Sequence, residues 1–212
     1  MNKKELVNRW HQAEFAATAT PLAESVLIKK QELSGADLRG IVVGLDGSLA
    51  PFLHKDFQDV ALEQVDLSFA QLSCSFSRCR MVDVTLVEVH FDTCRFKSSR
   101  FEKCAFDKAR IESPSLDDAE FSDCTFVDAN LQGRGWNEYG GKRIMFKRCR
   151  FVGTKFMNLQ IRASKFIDCE FTNVVFTKCI LSGTTFQGSS PSAESFSNCE
   201  LTQCMVNGNS LI

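Results

Sequence analysis

From Phe76 onward, every fifth residue is large and apolar. The series runs Phe76, Met81, Leu86, Phe91, Phe96, Phe101, Phe106, Ile111, Leu116, Phe121, Phe126, Leu131 and Trp136, and resumes at Phe146. It continues through Phe186 and ends on Phe196, Leu201, Val206 and Leu211, with Gly141 and Pro191 the only exceptions in 28 positions. An α-helix scatters a five-residue period around its whole cylinder, and a strand of period two places successive members on opposite faces. A chain that turns a corner every five residues brings every such side chain inside.

A second inward position lies two residues before each of these. It reads Cys74, Cys79, Val84, Val89, Cys94, Ser99, Cys104 and Ala109, and all ten cysteines of the chain occupy it. The other three positions of each pentad are mostly polar. The pattern predicts a narrow core that alternates large and small side chains. Earlier pentads keep the period but not the phase: Phe57, Leu62, Leu67 and Leu72 sit one residue out of step with Phe76, and Leu33, Leu38 and Val43 form a further short register.

These residues carry a resemblance. Ala36-Asp37-Leu38 and Ala129-Asn130-Leu131 are similar to the A-D-L and A-N-L core of the pentapeptide-repeat consensus. Cys104-Ala105-Phe106, Cys124-Thr125-Phe126 and Cys169-Glu170-Phe171 resemble its C-x-F variant. The resemblance covers roughly residues 33 to 212. It implies an all-β solenoid, a right-handed quadrilateral β-helix of four pentads per coil, with coils about 4.8 Å apart.

The ends and interruptions read differently. Residues 1–30 are expected to form a helical cap, with Leu6, Val7, Trp10, Ala13 and Ala17 on one face and Pro21 closing the segment. A solenoid needs such caps because its ends expose apolar cross-section and open strand edges. Residues 31–212 form the β-helix, with loops expected at 44–55, 132–143 and 188–195, where Gly, Ser and Pro cluster. The repeat runs to Leu211 with no helix after it. The uncapped last coil is expected to be covered, most simply by a second copy in a homodimer.

Chemistry is not evident. Metal sites need convergent ligands at short spacing, and the nearest cysteine pairs are five apart on adjacent faces. The thiols read as small buried core residues, without metal or cofactor. No P-loop, G-x-S-x-G or H-E-x-x-H motif occurs, and a rod of packed side chains offers no concave substrate site. The chain is expected not to be an enzyme. It has no run of eighteen apolar residues and no secretory signal, so a cytoplasmic location is expected.

Charge is segregated along the sequence. Six acids and no base lie between Glu112 and Asp128, and eight bases and no acid between Lys142 and Lys165. Each run covers about one coil and forms a belt, either a solvated, salt-bridged surface or a docking surface with electrostatic register. Between the belts lies 132–143, which holds Arg134, Trp136, Tyr139 and Arg143, residue types favoured at binding hot spots. These four, with Asp117 and Asp118 of the acidic belt, are the candidate partner-binding residues. The resemblance extends to bacterial proteins that protect DNA gyrase or topoisomerase IV from quinolones and toxins by mimicking duplex DNA. It implies a protein-binding rod with a topoisomerase partner and no small-molecule substrate. A net charge of −1 fits DNA mimicry badly. The alternative is a structural or scaffolding rod with an unrelated partner; direct nucleic-acid binding lacks an aromatic stacking platform.

Overall fold

The computed structural model describes residues 2–25, 32–48, 56–135 and 138–211. The chain winds into a four-walled β-helix. The first wall is a column of parallel strands in which Leu62 pairs with Met81, Met81 with Phe101, Phe101 with Phe121, Phe121 with Phe146, Phe146 with Phe166 and Phe166 with Phe186. The second wall stacks Phe126, Phe151 and Phe171 and is continued upstream by single bridges through Thr85 and Ala105. The third stacks Val43, Leu72, Phe91, Ile111, Leu131, Phe156, Phe176 and Phe196. The fourth carries bridges from Asp56 through Ser75, Arg95, Ser115, Gly140, Gln160 and Ile180 to Glu200.

Two contacts set this geometry. Backbone groups bond from coil to coil, as in Phe106 N–H to Thr125 O at 2.8 Å and Thr125 N–H to Cys104 O at 3.0 Å. Inside, rings stack along the axis and meet edge-to-face across it. Phe101 lies 4.7 Å from Phe121 with planes 6° apart, and 5.5 Å from Phe106 at 65°. The stacking distance matches the interstrand spacing, so a Phe column fills its wall with no void.

Each pentad turns its corner on a residue in the left-handed region. Asp83, Lys103, Asp123, Arg148 and Asp168 have φ between 51° and 55°. That conformation is costly for residues with a Cβ. It persists because the corner N–H is satisfied: Lys103 donates to Ser122 O and Asp123 to Lys147 O, both at 2.9 Å.

All ten cysteines are free thiols, nine of them buried and Cys199 half-buried. Cys104, Cys124, Cys149 and Cys169 share one column, and the last three donate to carbonyls of the preceding coil, Phe101, Phe121 and Phe146, at 3.4–3.5 Å. Burial pushes the Cys124 thiol up. Phe101, Phe106, Phe121, Phe126 and Phe166 are buried as their register requires. Phe171 is only half-buried, because the next place in its column belongs to Pro191 and not to a ring.

The N-terminal cap differs in detail from its sequence pattern. Helix α1, Lys3–Asn8, starts on an Asn2–Glu5 capping box. A 3-10 turn at Arg9–His11 then breaks the phase, and helix α2 runs Ala13–Ala23 with Pro21 inside it. Leu6 and Trp10 are buried, whereas Ala13 and Ala17 are rotated into solvent. Phe15 and Leu22 pack on the core in their place. The pin is Arg9, 4% exposed. Its guanidinium meets Asp37 at 2.8 and 3.0 Å and Arg39 O at 3.1 Å, and it covers the Phe15 ring at 4.9 Å. Trp10 Nε1 donates to Arg39 O at 2.9 Å.

The C-terminal coil is not bare. Asn207 and Gly208 both take positive φ, 49° and 82°, the combination a tight type I′ hairpin requires. The turn brings Asn209–Ser210 back antiparallel onto Met205–Val206. The open edge of the last strand is therefore paired within the chain on this one wall of the four. The segment 188–195 also stays within the coil: Leu181 and Leu201 remain twenty residues apart, Pro191 points inward and is buried, and a 3-10 turn at Ala193–Ser195 completes the circuit. No helix among the described residues is long and apolar enough to cross a membrane.

Two outcomes are expected. Phe126→Ala costs about 3–5 kcal/mol in chemical denaturation, and Phe171→Ala costs less, since its ring is only half-buried. Hydrogen bonds from Arg39, and then from Arg9, hold the Asp37 carboxyl far below the usual carboxylate range. A depressed folded value contributes stability that is complete above the unfolded pKa of about 3.9 and is lost as pH falls below it. Trp10 emission, read in a Trp136→Phe background, reports cap release as the pH is lowered through that range. Asp37→Asn flattens that acid transition and loosens the cap at neutral pH.

Candidate functional site

Neighbouring walls are normally five residues apart, as from Phe91 to Phe96. Three places depart from this. Leu72 to Phe76 is four residues, Val43 to Phe57 is fourteen, and Leu131 to Gly141 is ten. All three lie at the corner where the third wall passes into the fourth. The other three corners keep the spacing at every described coil. The two insertions leave the rod from one edge, four coils apart, or about 19 Å at the interstrand spacing. Residues 49–55 of the first insertion lie outside the described residues.

The second insertion is shorter than its composition suggests. Only residues 134–138 are extra to the coil; Gly140–Lys142 is a strand paired with Gln160–Arg162. The loop expected over 132–143 is thus corrected at both ends. Gly141, not Trp136, continues the large-residue column between Leu116 and Ile161. Tyr139 takes the small-residue place between Pro114 and Leu159 and packs half-buried against the core. The large and small places are exchanged in this one pentad. Gly141 must lack a side chain, since a Cβ there would stand 2.6 Å from Asp117 N. Gly140 has φ +101°, and a Cβ would collide with Gln160 O.

The candidate residues divide accordingly. Trp136 lies outside the described residues. Arg134 is exposed and turns back over the third wall, where it meets Asp92 at 2.6 Å and Glu112 at 3.6 Å. Burial raises the Asp92 carboxyl, but hydrogen bonds from Thr93 and Arg134 bring it below its ordinary value. Arg143 forms a two-point pair with Asp118 at 2.6 and 2.8 Å, one coil away, and lowers its pKa. Asp117 accepts the Lys142 N–H at 2.9 Å. Arg148 and Asp123 repeat the two-point pair on the next corner. The acidic belt therefore stacks on the basic belt, with two of its acids paired to two arginines of the next coil. Exposed pairs of this kind contribute little to stability; they set which coil lies on which more than they hold the rod together.

Sequence reasoning missed two features. One is the Asp92–Glu112 anchor for Arg134, which needs the third wall's register across the insertion. The other is a cleft of about 630 Å³ on the outer surface of the fourth wall, lined by Arg95, Asp117, Glu138, Tyr139, Lys142 and Arg162. Gly140 opens it, and a Gly-Gly pair gives no sign of that until its place in the wall is known. Among the described residues, no group of three or more His, Cys, Asp or Glu converges to hold a metal ion.

Residues 142–212 match the family model described as a pentapeptide repeat region. The four-walled solenoid carries the same pentad register upstream of the matched segment, back to Leu62 on the first wall. Among solved structures it is similar to a trypsin-treated variant of QnrB1, a plasmid-mediated fluoroquinolone resistance protein. The TM-score is 0.53 at 9% identity, over 84% of each chain. It also matches HetL, a pentapeptide repeat protein involved in heterocyst differentiation regulation from the cyanobacterium Nostoc sp. strain PCC 7120. There the TM-score is 0.35 at 10% identity, over 83% of this chain and 85% of that one. At 9% identity the likeness to QnrB1 is one of fold. No curated protein matches the sequence.

Deleting residues 134–138 restores the five-residue interval from Leu131 to Gly141. This variant is expected to fold, with a melting temperature within a few degrees of the parent. Gly140→Val, which keeps the insertion but forces a Cβ into the coil, is expected to cost about 1–3 kcal/mol or more in the same melt.

Proposed function

We propose that the chain is a non-enzymatic, protein-binding rod whose partner site runs along the corner between the third and fourth walls. The observation that carries this is the confinement of both insertions and the one deletion to that corner. A packed solenoid has four equivalent corners, and segments that leave a rigid scaffold are where recognition concentrates. Arg134, at the base of one such segment, is held to two carboxylates of the third wall, which lowers the entropy it loses on binding.

The resemblance to topoisomerase-protecting pentapeptide proteins makes DNA gyrase the partner to test first, and the fold shared with a fluoroquinolone resistance protein supports the same choice. Mimicry of duplex DNA by a continuous acidic surface is not favoured, because Asp118 and Asp123 are each paired to an arginine. Docking through the projecting corner is the version consistent with this charge. A scaffold with an unrelated protein partner is the alternative.

The test is gyrase supercoiling with and without a fluoroquinolone, at micromolar chain, using the parent and the 134–138 deletion. Protection or inhibition by the parent and its loss in the folded deletion variant is the expected outcome. Absence of both effect and gyrase capture removes gyrase and leaves the scaffold alternative. An effect that survives the deletion removes the corner.

A further inference from the structure

The cleft on the fourth wall gathers several charged side chains that are not matched to one another. Arg95, Lys142 and Arg162 have no ion-pair partner among the described residues, whereas Arg143 and Arg148 beside them are both paired. Asp117 is engaged by the Lys142 backbone, and Glu138 stands at the rim. The floor is backbone, because Gly140 leaves a notch in the column that runs Arg95, Ser115, Gly140, Gln160. Tyr139 supplies an aromatic side wall.

We propose that this cleft receives a carboxylate-rich, extended segment of a protein partner, laid along the rod axis. The inference rests on the reading of the rod as a protein-binding surface and names what part of a partner it holds. From Arg95 to Gln160 is three interstrand spacings, about 14 Å, and an extended chain rises about 3.3 Å per residue. Four residues therefore span the cleft, and acids at alternate positions bring carboxylates about 6.6 Å apart on one face. Two such groups match the three unpaired cations. Duplex DNA fits less well: it carries a charge every ~1.7 Å, about eight over the same length, against three cations and two acids. The strength comes from charge-assisted hydrogen bonds to the two guanidinium groups and the Lys142 ammonium.

The probe is acetyl-tetraglutamate amide, titrated into the intact chain at low ionic strength and followed by calorimetry, with tetralysine, inorganic phosphate and a short DNA duplex in parallel. Saturable binding of tetraglutamate alone is expected, weakened about tenfold in a Lys142→Gln, Arg162→Gln double variant and unchanged by Lys165→Gln on the first wall. Melting curves confirm that each variant is folded. No saturable binding, an equal loss on Lys165→Gln, or tighter binding of the duplex overturns the proposal, the last in favour of a nucleic acid. Because the titration needs no partner, its failure overturns the cleft alone. Loss of gyrase effects in the 134–138 deletion bears on the corner independently.

Discussion

Each coil of this rod is held to the next by backbone hydrogen bonds at a fixed spacing, and the corner residues are part of that ladder. A corner in the left-handed region would be unfavourable in isolation. Here the N–H bonds the next coil at twenty of the twenty-four non-glycine residues at positive φ among the described residues, so most of that strain is offset where it arises. The same spacing dictates the core. Rings separated by one coil stand 4.6–5.0 Å apart at most places in the Phe columns, which is close to ring-stacking distance. Phenylalanine fills such a column without a hydroxyl to satisfy, which accounts for 19 Phe beside one Tyr.

The ladder also explains why irregularity is cheap only outside it. An insertion must begin and end at a corner and return the chain in register, as the segment between Gly133 and Tyr139 does. The coil that follows is then displaced by five residues in sequence but by none in space. Arg143 thereby lies against Asp118, and Arg148 against Asp123, across 25 residues instead of the usual 20. The acidic and basic belts are complementary because of that offset.

Much of the architecture was legible in the period of five, since one apolar position per pentad survives almost any outward substitution. The small inward column was equally legible from the cysteines. What was not legible follows from three-dimensional register. Trp136 keeps the period in sequence, yet Gly141 holds its place in the wall, because a five-residue insertion leaves the count unbroken. Tyr139 is large for a small inward place, but the glycine two residues later makes the room. In the cap, apolar spacing alone could not show that a 3-10 turn resets the phase or that Arg9 is the buried pin. At the other end, the Asn207-Gly208 turn pairs an edge that the repeat pattern left open. Of the candidate site, Arg143, Asp117 and Asp118 were found as neighbours, but as a pairing surface between coils, with Arg134 drawn to the adjacent wall.

The account depends on the register resuming at Gly141 after an insertion confined to one corner. Paired cysteine substitution tests this most directly. Adjacent coils place facing residues within reach of a disulfide, and the native thiols are nearly all buried. The account predicts that Asp118→Cys with Arg143→Cys cross-links under mild oxidation, while Asp118→Cys with Glu138→Cys does not. Cross-linking of 118 to 138 and not to 143 would place Trp136 in the wall and contradict it.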